Sequence, residues 1–382
     1  MSHLIIYSYP LLIDIILGLF IFAGPMRAVE NGVSLGMISL LITAYGIGYV
    51  LFSLFMSKII RVRYARLQMV GASLLIAALS ITLAFTANIY ITLIVFSILP
   101  FGTSLFFNSF QAFMKHVGSN KATPMNMSVA IYVLSWSIGF ALGPFFGGWI
   151  REYFSWHMAF LFAAILGVIV ALVAFYFNPV GEESQAEPPI IDHSGDPDLA
   201  LSGWAGVLTT AIVLSLFLTL FPKQTEMMGM RPGFRGMVIF LQNMVQAGVV
   251  FLYARHYRWV YNVAVAPFVG ILGIVALVCL YYATQPFLLF VAAVLFGVFG
   301  AGYFYAAIYH SLSHPSKSVR NISINEASVG TGFLLGPQLV HLSSSPTTFT
   351  RPYLYAILII AALIVFQYIF IKNKTTHLIE SR

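Results

Sequence analysis

Residues 135–148 read Ser-Trp-Ser-Ile-Gly-Phe-Ala-Leu-Gly-Pro-Phe-Phe-Gly-Gly. Gly139, Gly143 and Gly147 recur every fourth residue, so on a helix they form one bare stripe, with Gly148 beside it. Such a stripe lets a second helix approach closely, which is how helices associate in a bilayer that offers no hydrophobic force between them. Pro144 removes one backbone donor and crowds the preceding turn, a place for the helix to bend. Residues 328–337, Ser-Val-Gly-Thr-Gly-Phe-Leu-Leu-Gly-Pro, match residues 135–144 at six of ten positions, 193 residues further on. The echo keeps Gly332, Gly336 and Pro337 but has Val340 and His341 where Gly147 and Gly148 stand. A repeat at half of a 382-residue chain points to two similar halves. The full stripe in the first copy predicts closer packing of that helix across the interface between halves than of its echo.

Composition sets the solvent. Hydrophobic residues make up 60% and charged residues 8%, against roughly 25% charged in an ordinary globular domain. Such a chain cannot cover its own surface in water, so it is read as a polytopic membrane protein. The net charge of +7, a nucleic-acid signal in a soluble protein, is explained here by basic residues in cytoplasmic loops, with no nucleic-acid partner. The single cysteine, Cys279, lies in an apolar run and excludes an intrachain disulfide or a cysteine metal cluster. The start, Met1-Ser-His-Leu, has no basic region or small-residue cleavage site, so the first apolar run is expected to be a retained helix.

A span needs about 20 largely apolar residues. Twelve stretches qualify: 5–26, 34–57, 67–87, 90–114, 124–150, 156–178, 203–222, 233–254, 262–284, 287–312, 319–343 and 351–372. The fold expected is an all-α integral membrane protein of 12 transmembrane helices in two pseudo-symmetric six-helix bundles, residues 1–178 and 203–372. Residues 179–202 hold four prolines and six acids without apolar periodicity and read as a flexible linker. Residues 373–382 read as a tail. One set of alternate loops, with the tail, holds thirteen lysines and arginines against six in the other set. That asymmetry places both termini and the linker in the cytoplasm.

Twelve helices in two sixes, a central linker and the Gly-x3-Gly-Pro-x2-Gly-Gly run resemble the major facilitator superfamily. Residues 143–148 are similar to the fifth-helix motif of its antiporter branches, and the resemblance covers the whole chain. Two other motifs of that family are degraded. The loop between the second and third helices, Ser57-Lys-Ile-Ile-Arg-Val-Arg-Tyr-Ala-Arg66, keeps the basic charge but lacks the glycines and the acid. Ile98 stands where the drug antiporters carry a fourth-helix arginine. The resemblance implies that the first, fourth, seventh and tenth helices line a central cavity, and that a first-helix carboxylate carries a coupled proton.

Charge in mid-bilayer is costly, so each such residue is a candidate for function. Asp14, near the middle of the first span, and Glu326, two turns into the eleventh, are the candidate proton-coupling groups, with Arg320 a candidate partner for Glu326. Either could also be a packing or gating contact. On the fourth helix Ser104, Asn108, Gln111 and Lys115 fall at intervals of four, three and four, a polar stripe expected to face water inside the protein. The eighth helix offers Gln242, Asn243 and Gln246, and the tenth Tyr305 and Tyr309 on one face, with Tyr303 and His310 on another. As a set, Asn108, Gln111, Gln242, Asn243, Gln246, Tyr305 and Tyr309 form a candidate substrate site for a neutral polar ligand. Each alone could be an interhelical hydrogen bond worth roughly half a kcal/mol. Trp136 reads as packing, and Arg27, Arg151 and Arg351 as interfacial anchors. No lysine or arginine falls in mid-span, which disfavours phosphate esters, and no histidine pair has metal spacing, so neither metal nor cofactor is expected.

These features favour a monomeric secondary transporter of a small organic solute in the cytoplasmic (inner) membrane, coupled to protons and working by alternating access. The antiporter-like motif favours efflux; the amide and phenol set favours uptake of a neutral solute such as a sugar. A membrane enzyme would need a nucleophile, metal cluster or acid–base pair that the sequence lacks. A transporter-like sensor is the remote alternative.

Overall fold

The structure, a computed structural model, describes residues 2–60, 62–117, 125–176, 197–313, 318–343 and 349–380. Among them are twelve α-helices: α1 Ser2–Glu30, α2 Leu35–Ile59, α3 Ala65–Phe85, α4 Ile89–Val117, α5 Met125–Tyr153, α6 Trp156–Tyr176, α7 Ala200–Met227, α8 Pro232–Arg255, α9 Val265–Tyr282, α10 Pro286–Leu312, α11 Ser318–Ser343 and α12 Pro352–Glu380. Eleven are long and apolar enough to cross a bilayer. The twelfth, α11, carries Arg320, Asn321, Asn325, Glu326 and Gln338. Apart from Arg320, exposed in the first turn, its polar groups are tolerated because α11 is packed between α2 and α7, where the neighbouring helices rather than lipid meet them.

Packing repeats between the halves. α1 lies on α5 as α7 lies on α11; α3 packs on α6 as α9 packs on α12; α2 meets α4 as α8 meets α10. The halves join along a seam of two helix pairs, α5 with α8 and α2 with α11. Most of the linker, 179–196, lies outside the described residues, and α7 begins at Ala200, three residues before the expected boundary. The expected tail is helical: α12 continues to Glu380.

The glycine stripe meets a different partner from the one expected. A Cβ at Gly139 would lie 2.5 Å from the Asp14 Cβ and from the Leu11 carbonyl oxygen, and one at Gly143 would strike the Ile15 carbonyl and the Leu19 amide. Both glycines therefore face α1, inside their own half. The echo does the same: Gly332 and Gly336 meet Ala211, Ile212 and Ser215 of α7. The seam is closed by other glycines. A Cβ added at Gly148 would lie 2.5 Å from the Pro232 carbonyl oxygen and one at Gly236 would strike the Pro144 carbonyl, while one at Gly46 would lie 2.5 Å from the Leu334 amide and one at Gly330 would crowd Val50. So α2–α11 also has close backbone approaches, while α5–α8 is the more extensive contact of the two. A Cβ at Gly147 would lie 3.3 and 3.4 Å from the Phe22 and Leu19 side chains, an easier neighbourhood. Pro144 and Pro337 sit at matching places inside continuous helices.

At the end of the bundle opposite the termini, Glu152 of α5 accepts the Gly233 amide at the start of α8 (2.9 Å), with the Arg231 guanidinium 3.9 Å away. A carboxylate from one half thus caps a helix N-terminus of the other, where both orphan amides and the helix dipole favour it. Glu152→Ala is expected to cost about 1 kcal/mol, measurable as a lowered midpoint of thermal unfolding. Arg27 and Arg151 are not lipid anchors. Arg27 is buried, donates to the Leu83 carbonyl (2.6 Å) and lies over the Phe160 ring. Arg151 pairs with Glu30 (3.0 Å), which also accepts the Trp156 indole.

Candidate functional site

A cavity of about 140 Å³ lies on the seam, lined from both halves. The first half supplies Asp14 and Leu17 from α1, Tyr45 and Tyr49 from α2, Ser104, Phe107 and Asn108 from α4, and Tyr132, Trp136 and Phe140 from α5. The second supplies Asn243 and Gln246 from α8, Phe304 and Ile308 from α10, and Asn325, Glu326, Val329 and Phe333 from α11. Both carboxyls border one cavity because α1 is held against α5 within its half by bare glycines, and α11 against α2 across the seam by Gly46 and Gly330.

The two carboxyls are held differently. Asp14 is buried, and its Oδ2 accepts no hydrogen bond among the described residues. Glu326 accepts the Tyr49 hydroxyl at 2.6 Å, a contact between α11 and α2 and so across the seam. The partner expected for Glu326, Arg320, is on the opposite face of α11, exposed and without a bond to it. The Ser104 hydroxyl and the Asn325 Oδ1 are likewise buried without a partner among the described residues. A dry site costs free energy for each unmet polar group, so three unmet oxygens on one cavity mark where a ligand or water is received.

The amides are pinned. The Nδ2 of Asn108 donates to the Ser104 carbonyl (2.8 Å) and that of Asn243 to the Ile239 carbonyl (3.0 Å). Each spends one of its two N–H donors on its own helix, leaving the other N–H and the side-chain carbonyl as the remaining polar functions. Gln246 donates across the seam to Ser137 of α5 at 2.8 Å. Beside it Trp136 meets Phe304 edge to face, centroids 5.0 Å apart, an aromatic pair with one member from each half. The seam is hydrogen-bonded on both sides of the cavity: Asn126 to the Ala254 carbonyl (2.9 Å) toward the termini, and Gln338 to Thr43 (2.9 Å) with Glu152 to Gly233 toward the other end.

Several expected site residues lie elsewhere. Tyr305 and Tyr309 do not border the cavity; they stack on each other and on Trp259 and Tyr257, beside Val129 and Val133 of α5. One residue is about 100° on a helix, and α10 is turned so that Phe304 and Ile308, each one place earlier, face the cavity. Gln242 is buried where α8 runs against Gly297 of α10, with its Oε1 unmet among the described residues. The side chains of Gln111 and Lys115 lie outside the described residues. Sequence reasoning also missed Tyr45 and Tyr49, although two phenols one turn apart in an aliphatic, glycine-bearing span were a signal. Asn325 was not singled out, and Trp136 was read as packing.

A family model described as Major Facilitator Superfamily matches residues 10–309. No curated relative matches the chain by sequence. Among solved structures, the crystal structure of nucleoside transporter NupG superposes with a TM-score of 0.69 at 12% identity, covering 96% of this chain and 98% of that one. A point mutant of the same transporter gives 0.71 at 13% identity over 96% and 99%. At such identities the likeness shows the fold.

Proposed function

Since the chain belongs to the major facilitator superfamily, and is therefore a multi-pass membrane transporter and not an enzyme, we propose that it moves an uncharged polar organic solute across the cytoplasmic membrane by alternating access, coupled to protons through Asp14 and Glu326. One observation carries this reading: both carboxyls border a single cavity on the seam between the halves, among amides and aromatic faces. A site on the seam is open to whichever side the halves part from. No lysine, arginine or histidine is among the described lining residues, so a dianion finds no partner. Stacking faces (Trp136, Phe304, Phe107) and amide and hydroxyl groups suit a flat or ring-bearing solute carrying hydroxyl or amino groups. Nucleosides, for which the structurally similar transporter is named, belong to that chemical class, as do sugars. A cavity of this volume holds about one small ring, so a larger solute is admitted as the halves separate.

For direction, the Gly-Pro-x2-Gly-Gly run favours export, and uptake of a neutral solute is the alternative. The termini face the cytoplasm on the lysine and arginine count, and the working unit is the monomer. Thermal-shift titration of the purified protein with nucleosides, sugars, amino acids and amphiphilic drugs tests the solute class. A hit raises the unfolding midpoint by mass action. The reading expects an uncharged hit that Gln246→Ala weakens; a phosphate ester as the sole hit contradicts it. Tyr49→Phe removes the donor to Glu326 and is expected to lower proton-coupled flux about tenfold, the worth of a charge-assisted hydrogen bond. Binding of the same solute should change by less than about twofold, as checked by equilibrium binding.

A further inference from the structure

A second concavity, a groove of about 330 Å³, runs along α11 on the face away from the cavity. Its walls are Leu54 of α2 and Leu208 of α7, and its floor is Arg320, Ser323, Ile324, Ala327, Ser328 and Thr331 of α11. These positions share one helical face, whereas Asn325, Glu326, Val329 and Phe333 point into the cavity. The groove side is bilayer-facing by its neighbours. Leu335, the next residue along that face of α11, is 41% exposed, and Leu40, Ile47 and Leu51, on the same side of α2 as Leu54, are all exposed apolar side chains. Leu54 belongs to one half and the remaining lining to the other, so the groove straddles the seam.

Its polar content is concentrated at one end. The Ser328 and Thr331 hydroxyls donate to carbonyls of their own helix (2.8 and 2.7 Å), which leaves the trough itself small and apolar. Arg320 is exposed, makes no hydrogen bond or ion pair among the described residues, and stands in the first turn of α11, where the helix dipole adds positive potential. A free guanidinium at the membrane-interface end of a lipid-facing apolar trough is complementary to one kind of occupant: a headgroup bearing a phosphate charge, with an acyl chain running along the helix below it. Zwitterionic lipids carry their own ammonium against the phosphate and gain less from the arginine.

We infer that this groove is a binding site for an anionic phospholipid, whose phosphate is held by Arg320 and whose chain lies between Leu54 and Leu208 across the seam. Occupancy of the groove then ties the two halves together in this arrangement.

The test uses the full-length protein, delipidated in neutral detergent and titrated separately with dioleoyl phosphatidylglycerol, dioleoyl phosphatidylcholine and inorganic phosphate. Native mass spectrometry reads retained lipid and thermal unfolding reads stabilisation. Phosphatidylglycerol is expected to be retained and to raise the unfolding midpoint more than phosphatidylcholine. Arg320→Gln should weaken that retention about fivefold, the worth of one interfacial arginine, and Arg320→Lys should restore most of it. Leu208→Trp, which fills the trough, should weaken it by a comparable factor with Arg320 intact. Equal response to the two lipids, or a phosphatidylglycerol response unchanged in both Arg320→Gln and Leu208→Trp, would overturn the site. So would stabilisation by inorganic phosphate alone, which would make Arg320 a simple anion contact.

Discussion

Gly143→Leu is expected to prevent the first half from assembling, leaving little folded monomer after detergent extraction. A Cβ at Gly143 strikes the Ile15 carbonyl and the Leu19 amide, both backbone, so no side-chain rotation relieves it. The two helices must part along their length, at a cost at or above the ~3 kcal/mol that marks the upper range of overpacking. Gly147→Leu supplies the comparison. A Cβ there lies 3.3 and 3.4 Å from the Phe22 and Leu19 side chains, which can shift, so this variant should fold and lose no more than a few degrees of thermal stability. His341→Leu, on the exposed end of the echo, should be indistinguishable from the native protein. Size-exclusion profile and unfolding midpoint across the three variants check the order; equal behaviour of Gly143 and Gly147 variants would contradict the close approach of α1 and α5.

The second large effect belongs to Asp14. Asparagine keeps its shape but cannot take up and release a proton, so Asp14→Asn should abolish solute movement driven by a pH gradient in proteoliposomes. For one proton per solute, one pH unit sustains about a tenfold asymmetry in the native protein, and the variant should fall to no asymmetry. Because the Asp14 Oδ2 has no partner to lose among the described residues, the variant should keep its native unfolding midpoint. That separates a coupling defect from a folding defect. An Asp14→Asn protein that still builds the full asymmetry removes Asp14 from the coupling.

The helices were legible because bilayer thickness leaves little choice: a stretch of the right length and apolarity has to span. The repeat of residues 135–144 at 328–337 correctly announced two related halves. What the glycine stripe could not say is which helix it admits. A row of small residues records that something comes close, and both α1 and the opposite half were candidates; the spacing is the same for either. Tyr305 and Tyr309 illustrate a related gap. Helical periodicity groups them on one face, but the rotation of α10 about its axis is decided by packing at both ends, and it brings Phe304 and Ile308 to the cavity instead. Glu326 was recognisable from its cost in a membrane, whereas its partner was not, because Tyr49 lies 277 residues away and a neutral phenol leaves no charge signature. The low apolarity of α11, the one described helix not apolar enough to count as a span on composition, makes sense only once its neighbours are known to shield it.

The central claim is that one seam cavity handles both solute and proton. It is tested most directly by reconstituting the native protein in weakly buffered proteoliposomes with a lumenal pH dye, adding the solute identified by thermal shift, and recording lumenal pH without any imposed gradient. The account predicts a solute-dependent pH change that saturates with the solute, is absent in Asp14→Asn, and carries opposite signs for export and uptake. Solute flux that proceeds at full rate with no accompanying pH change, and that an imposed pH gradient neither accelerates nor slows, would contradict it.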